Sequence, residues 1–167
     1  MAFTFGNRSW VDVSDETPPR FFIRLHGTRL AERAGAMSAL VPQLAHLDAW
    51  MVEWLLDAEQ QSELYLQLGL AFKAGGQLEP AFNMRRKYLH IIPESSRSAA
   101  KEQIISVIAD AIQSPSFFAF EELASIPSVQ QLGKEPAGQL LNVLVDSSVS
   151  EYRDFIRANS DALVSLG

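Results

Sequence analysis

Apolar side chains recur at three- and four-residue steps along most of the chain, which is the spacing that places them on one face of an α-helix. The clearest example is the row Leu64, Leu68 and Phe72. Strict apolar–polar alternation never persists beyond a few residues, so we predict no β-strand. The pattern therefore predicts an all-α protein in which short turns join antiparallel neighbours into stacked helical hairpins.

Proline and glycine mark the ends of the first two predicted helices. The first helix begins at Thr17-Pro18-Pro19, where threonine can cap and proline suits the first turn, and it ends at Gly35. Pro42 begins the second helix. The apolar stripes of the two helices are Phe21, Phe22, Leu25, Leu30 and Ala34, then Leu44, Leu47, Trp50, Met51, Trp54 and Leu55. The paired tryptophans could be interface anchors, but in an apolar stripe we favour a core position.

The next two helices have clear boundary signals. Asp57 with Gln60 three residues later fits a capping box at the start of the third helix, and Gly75-Gly76 ends it. The fourth helix runs from about Leu78 to Ile91, and Pro93 stops it.

In the second half of the chain, the apolar spacing and the prolines predict shorter helices. The fifth helix carries the stripe Ile104, Ile105, Ile108, Ala111 and Ile112 and is broken by Ser114-Pro115. A short helix over Phe117–Leu123 follows, then a turn after Pro127 with Val129 and Leu132. Ser148 and Glu151 form a capping box for the penultimate helix. The remaining apolar stripes are Leu140, Leu141, Leu144 and Val145, then Tyr152, Phe155 and Ile156, then Leu163, Val164 and Leu166.

One helical hairpin resembles a degenerate tetratricopeptide repeat. Its packing positions would be Tyr65, Leu68, Gly69, Phe72, Ala81 and Pro93. Small residues at positions 69 and 81 would let two helices approach closely while the aromatic side chains fill the space around them. Arg85 departs from the pattern, because an aromatic residue would normally pack there. A generic helical hairpin is the alternative interpretation.

Composition narrows the possible functions. The chain has 167 residues, no cysteine and a formal net charge of −6, which excludes disulfides and thiolate metal sites and argues against a general nucleic-acid binder. No phosphate-binding loop, nucleophile elbow or histidine pair with metal-ligand spacing occurs. Glu121 and Glu122 are adjacent on a helix and point about 100° apart, so they cannot share a proton. We therefore expect no enzyme activity, metal, cofactor or small-molecule substrate.

The densest basic run is Arg85, Arg86 and Lys87. It could contact RNA or an acidic partner, although the solvent-exposed side of the fourth helix is the favoured interpretation. No apolar run is long enough for a membrane span, and no signal peptide is evident. We expect a cytoplasmic protein without membrane contacts.

From Ser98 onward the chain resembles the PCI family, which is shared by subunits of the proteasome lid, the signalosome and initiation factors. The residues that carry the resemblance are Ala111-Ile112, Pro115, Phe117, Phe120, Leu123, Ile126, Val129, Leu132, Leu140-Leu141, Leu144-Val145, Tyr152 and Phe155. The closing stretch 159–167, together with Pro19-Arg20-Phe21, the connection from Gly35 to Val41-Pro42 and the pair Trp50 and Trp54, is similar to the M subunits of eukaryotic translation initiation factor 3.

The resemblance implies a domain organisation. Residues 17–167 would be the helical-repeat part of a PCI domain, a right-handed superhelix, and residues 1–16 would be an N-terminal arm that the family pattern does not place. The family continues into a winged-helix module, so the chain is expected to be the helical part alone.

The resemblance also implies a role. Such a subunit is a non-catalytic scaffold that contacts other PCI-type subunits and, indirectly, the small ribosomal subunit during preinitiation complex assembly. Two alternatives stay open: a signalosome subunit similar to subunit seven, and an RNA-binding helical adaptor.

Overall fold

The computed structural model describes residues 19–113, 120–147 and 149–159. The described residues contain no strand, and the predicted all-α class is confirmed. Two 3-10 helices, Met37–His46 and Glu94–Ser96, lie between α-helices. The α-helices are α1 (Pro19–Arg33), α2 (Leu47–Glu53), α3 (Ala58–Ala74), α4 (Leu78–Ile91), α5 (Lys101–Gln113), α6 (Phe120–Ser125), α7 (Pro127–Gln130), α8 (Pro136–Asp146) and α9 (Val149–Ala158).

The hairpin formed by α3 and α4 is the centre of the fold. A capping box begins α3: the Asp57 carboxylate accepts from the Gln60 backbone N–H, and the Gln60 side chain accepts from the Asp57 N–H. Gly76 adopts a left-handed φ of 72°, which allows the tight turn into α4. The predicted boundaries of both helices agree with the structure.

A continuous apolar core extends along the stacked helices. Helix α1 packs on α3, α5 packs on α4, and α8 packs on both α5 and α6. The predicted stripe of α3 is fully buried at Leu64, Leu68 and Phe72. Among the described helices, none is both long enough and apolar enough to cross a membrane.

The first two predicted helices differ from the structure at their boundaries and faces. Pro42 lies inside the first 3-10 helix instead of opening an α-helix, since proline lacks an N–H and disfavours α geometry in the residue before it. Helix α2 therefore begins only at Leu47. Leu55 has a positive φ of 54° in the turn after α2 and its side chain is exposed. Its predicted place in the buried stripe is wrong.

Helix α1 buries only part of the predicted stripe, because Phe21 and Leu25 are buried but Ala34 is exposed. Leu30 is 70% exposed, whereas Thr28 is buried. The Thr28 hydroxyl donates to the Arg24 backbone carbonyl at 2.9 Å, which satisfies its polar group inside the fold. The residues that α1 buries, Phe21, Leu25 and Thr28, form a narrower stripe than we predicted.

Several predictions fall outside the described residues. They are the arm 1–16, the cap at Thr17, the break at Ser114-Pro115, the start of the helix at Phe117, the cap at Ser148 and the last helix with Leu163, Val164 and Leu166.

Candidate protein-interaction surface

The side chains of Arg85, Arg86 and Lys87 do not form the single exposed basic patch that the sequence suggested. Arg85 is only 2% exposed and lies between α3, α4 and α5. Its Nη1 donates to Asp110, and its Nη2 donates to the Ser106 hydroxyl at 2.9 Å. The interpretation of Arg85 as a solvent-exposed or RNA-binding residue is therefore wrong, because the guanidinium is held inside the fold by a carboxylate on α5.

The other two residues of the run are engaged with acidic side chains of this chain. Arg86 pairs with Glu122, and Lys87 pairs with Asp48. Both pairs are partly exposed, so each contributes on the order of 0–1 kcal/mol to stability. Their positive charge is already compensated locally, which weakens the case for phosphate binding at this site.

Asp48 connects α2 to the central hairpin. It accepts hydrogen bonds from the Tyr65 hydroxyl at 2.7 Å and from Lys87. Burial alone would raise the pKa of Asp48, but the hydrogen bonds from Lys87 and Tyr65, with the charge of Lys87, lower it below its usual value. Burial, followed by the hydrogen bond to Asp48, raises the pKa of Tyr65. The carboxylate is therefore held in its charged form.

All of the predicted helix-packing residues except Pro93 lie where α3 and α4 meet. The side chains of Tyr65, Leu68, Phe72 and Ala81 are all buried there. A Cβ placed on Gly69 would come 2.4 Å from the Arg85 Cγ and 3.3 Å from the Ala81 carbonyl oxygen. Pro93 lies beyond the end of α4 and is half-buried. Gly69 thus provides the space that the buried arginine occupies.

Removing the anion that compensates Arg85 is expected to destabilise the protein. Asp110→Ala should lower the free energy of unfolding by about 2 kcal/mol, because it leaves a cation that is buried and unpaired. Urea denaturation measures the change. The added substitution Arg85→Met should recover most of the loss, since the apolar side chain needs no counter-ion.

A matched control is Glu53→Gln, which breaks the exposed pair with Arg20. We expect this change to cost no more than about 0.5 kcal/mol. Equal losses at Asp110 and Glu53 would contradict the buried role of Arg85.

A groove of about 370 Å³ separates α1 from α2 and the first 3-10 helix. Its residues are Arg20, Ile23, Arg24, Gly27, Thr28, Leu40, Trp50 and Trp54. The rings of Trp50 and Trp54 stack with their centroids 6.0 Å apart and their planes 11° apart. Both side chains are half-buried, so the prediction that they belong to the core is only partly right. They form one apolar wall of an open groove.

Arg24 lies against Trp50 in this groove. Its guanidinium carbon is 4.9 Å from the centroid of the Trp50 ring, a cation–π contact. Its Nη1 donates to the Gln43 side chain, whereas the buried Nε and Nη2 have no hydrogen-bond partner among the described residues. Burial lowers the pKa of this guanidinium. Arg24 therefore lacks a compensating anion in the described part of the chain.

The outer face of α1 continues the apolar surface from the groove. Ile23 is 69% exposed and Leu30 is 70% exposed, and a Cβ placed on Gly27 between them would meet nothing within 4 Å. We call the residues Ile23, Arg24, Gly27 and Leu30 the α1 surface. Sequence reasoning missed it, although the spacing 23, 27 and 30 was available as a second stripe on the same helix.

Comparison with known proteins identifies relatives of the chain. It is 33% identical over 137 residues to eukaryotic translation initiation factor 3 subunit M of Aspergillus clavatus, an alignment that covers 79% of this chain. The subunit M of Aspergillus fumigatus is 31% identical over 89% of the chain, and that of Nematostella vectensis is 24% identical over 93%. The chain is a relative of initiation factor 3 subunit M. This agrees with the resemblance of its aromatic and leucine positions to that subunit.

The match is partial in length. The chain spans 29% of the A. clavatus subunit M, 33% of the A. fumigatus protein and 41% of the N. vectensis protein. No family model matches the chain, and no solved structure matches it. The assignment to a PCI domain therefore stays a prediction.

Proposed function

We propose that this chain is a non-catalytic scaffold segment of a translation initiation factor 3 complex. It would act in the cytoplasm through protein–protein contacts with other subunits and contribute to preinitiation complex assembly on the small ribosomal subunit. The observation that carries this proposal is the similarity to subunit M over 79% to 93% of the chain.

The fold is consistent with this role. Stacked helical hairpins present long surfaces on which neighbouring proteins can dock. The described residues bring together no group of three potential metal ligands. The groove beside Trp50 and Trp54 has a mostly apolar lining, which suits a protein contact better than a reaction on a polar substrate.

The two alternatives have less support. The relatives described above are all M subunits of initiation factor 3, which favours that complex over the signalosome. The RNA-binding adaptor depended on Arg85, Arg86 and Lys87, and these side chains are buried or paired with carboxylates of this chain.

Purification from the cells that produce the protein tests the proposal. An affinity-tagged copy should co-purify with other initiation factor 3 subunits after nuclease treatment, and it should sediment with small ribosomal subunits on a sucrose gradient. Quantitative mass spectrometry measures the enrichment against an untagged strain. Co-purification of signalosome subunits, or loss of every partner after nuclease treatment, would refute the scaffold role.

A further inference from the structure

We infer that the α1 surface is a docking site for an acidic amphipathic helix of another protein. This inference rests on the proposed function and deepens it, because it names the chemistry of the partner and the surface that binds it. The groove beside Trp50 and Trp54 would receive the partner's apolar side chains.

The spacing of the exposed residues fits a helix. Ile23, Gly27 and Leu30 follow one another at steps of four and three, the spacing of a seam between two packed helices. The open space beside Gly27 lets a second backbone approach closely. Ile23 and Leu30 are exposed at the two ends of this apolar row. A partner helix that buries both side chains would contact about two turns of α1.

Charge determines which helix would bind. Helix α1 carries four arginines and one glutamate, and it remains basic after the pairing of Arg20 with Glu53, although the whole chain has a net charge of −6. Among the described residues the Arg24 Nε and Nη2 have no hydrogen-bond partner, so a carboxylate that bound in the groove would supply the missing negative charge. A charge-assisted bond to a carboxylate is among the strongest that arginine makes. The partner helix would therefore flank its apolar residues with Asp or Glu.

A second copy of this chain and RNA fit the surface less well. In a two-fold symmetric pair, α1 would lie against α1 and bring arginines of both copies together, which is unfavourable. RNA would leave Ile23 and Leu30 facing charged phosphates, with no apolar cover. Both remain possible outcomes of the experiment below.

Two matched substitutions test the inference in the tagged protein. Leu30→Glu should reduce the recovery of its directly bound subunit at least about tenfold, because it places a negative charge at the apolar seam opposite the partner's carboxylates. Leu78→Glu is the control, since Leu78 is also 70% exposed but lies at the start of α4. It should change recovery by less than about twofold. Circular dichroism should give both variants the melting temperature of the unsubstituted protein.

Photo-crosslinking identifies the occupant. A photoreactive phenylalanine analogue replaces Leu30 in one sample and Leu78 in the other, and mass spectrometry locates the crosslinked peptides. We expect position 30 alone to crosslink a peptide of another chain that has at least two Asp or Glu residues within one helical turn of the attachment point. Crosslinks to RNA, to residues 1–18 of this chain, to a second copy or to no molecule would overturn the inference.

The two proposals can fail separately. If initiation factor subunits co-purify equally with the Leu30→Glu and unsubstituted proteins, the docking surface is wrong and the proposed function stands. If position 30 crosslinks an acidic helix of a protein outside translation, the docking surface stands and the proposed function fails.

Discussion

Gly69→Leu should lower the free energy of unfolding by about 4 kcal/mol, the largest loss that we expect from a single substitution. The first added carbon would lie 2.4 Å from the Arg85 Cγ and 3.3 Å from the Ala81 carbonyl oxygen. Arg85 cannot move aside easily, because Asp110 and Ser106 hold its guanidinium. The added side chain would therefore force α3 and α4 apart and damage the core on both sides. Thermal and urea denaturation followed by circular dichroism measure the loss.

Gly27→Leu is the matched control for this prediction. Gly27 is also a glycine within a helix, but a Cβ placed there meets nothing within 4 Å. Leucine has a better helix propensity than glycine, so the control should be neutral or stabilising by up to about 1 kcal/mol. An unchanged melting curve for Gly69→Leu would show that the close approach between Gly69 and Arg85 is absent in solution.

Gly138→Ala should destabilise the protein by about 3 kcal/mol, although alanine is normally favoured over glycine in a helix. A Cβ at this position would lie 2.1 Å from the Leu132 carbonyl oxygen and 2.7 Å from the Leu132 carbonyl carbon. These are backbone atoms in the turn between α7 and α8, so no side-chain rotation can relieve the overlap. Helix α8 would have to shift and disturb the packing of the buried Leu141.

Gly27→Ala provides the comparison for Gly138→Ala. The substitution is identical and also lies within a helix, but the site is open, so we expect a gain of about 0.5–1 kcal/mol. Urea denaturation of the two variants should therefore give changes of opposite sign. A gain in both variants would mean that the turn from Leu132 to α8 can move, and the inferred close packing there would be wrong.

The second half of the chain shows how much local sequence determines. Ile104, Ile108 and Ala111 of the predicted stripe are buried, and Ile105 and Ile112 are half-buried. The segment after Pro127, which we predicted as a turn, is instead the short helix α7 with Val129 buried. The break at Pro127 was predictable because proline restricts its own φ and the conformation of the residue before it. Apolar periodicity then selects the buried face without reference to distant residues.

Arg85 was not predictable in the same way. Its neighbours Arg86 and Lys87 are charged, and a run of three cations usually indicates a solvent-exposed face. Its burial depends on Asp110, 25 positions later, and on the space that Gly69 leaves 16 positions earlier. Neither partner is visible in the helical pattern of α4, because a compensating charge inside a fold is a tertiary property.

The exposure of the α1 surface also could not be predicted from the sequence alone. Helix α1 has two apolar rows, Phe21 with Leu25 and Ile23 with Leu30, and periodicity alone does not say which one faces the core. Packing against α3 buries the first row and leaves the second exposed beside the tryptophan groove.

By itself, the sequence determined the all-α class, the boundaries of the central hairpin and the resemblance to subunit M, because caps, turn residues and apolar spacing act over one or two helical turns. Only the tertiary structure decided which charges are buried and which apolar row stays uncovered. Those outcomes depend on residues far apart in the chain that the packed helices bring into contact.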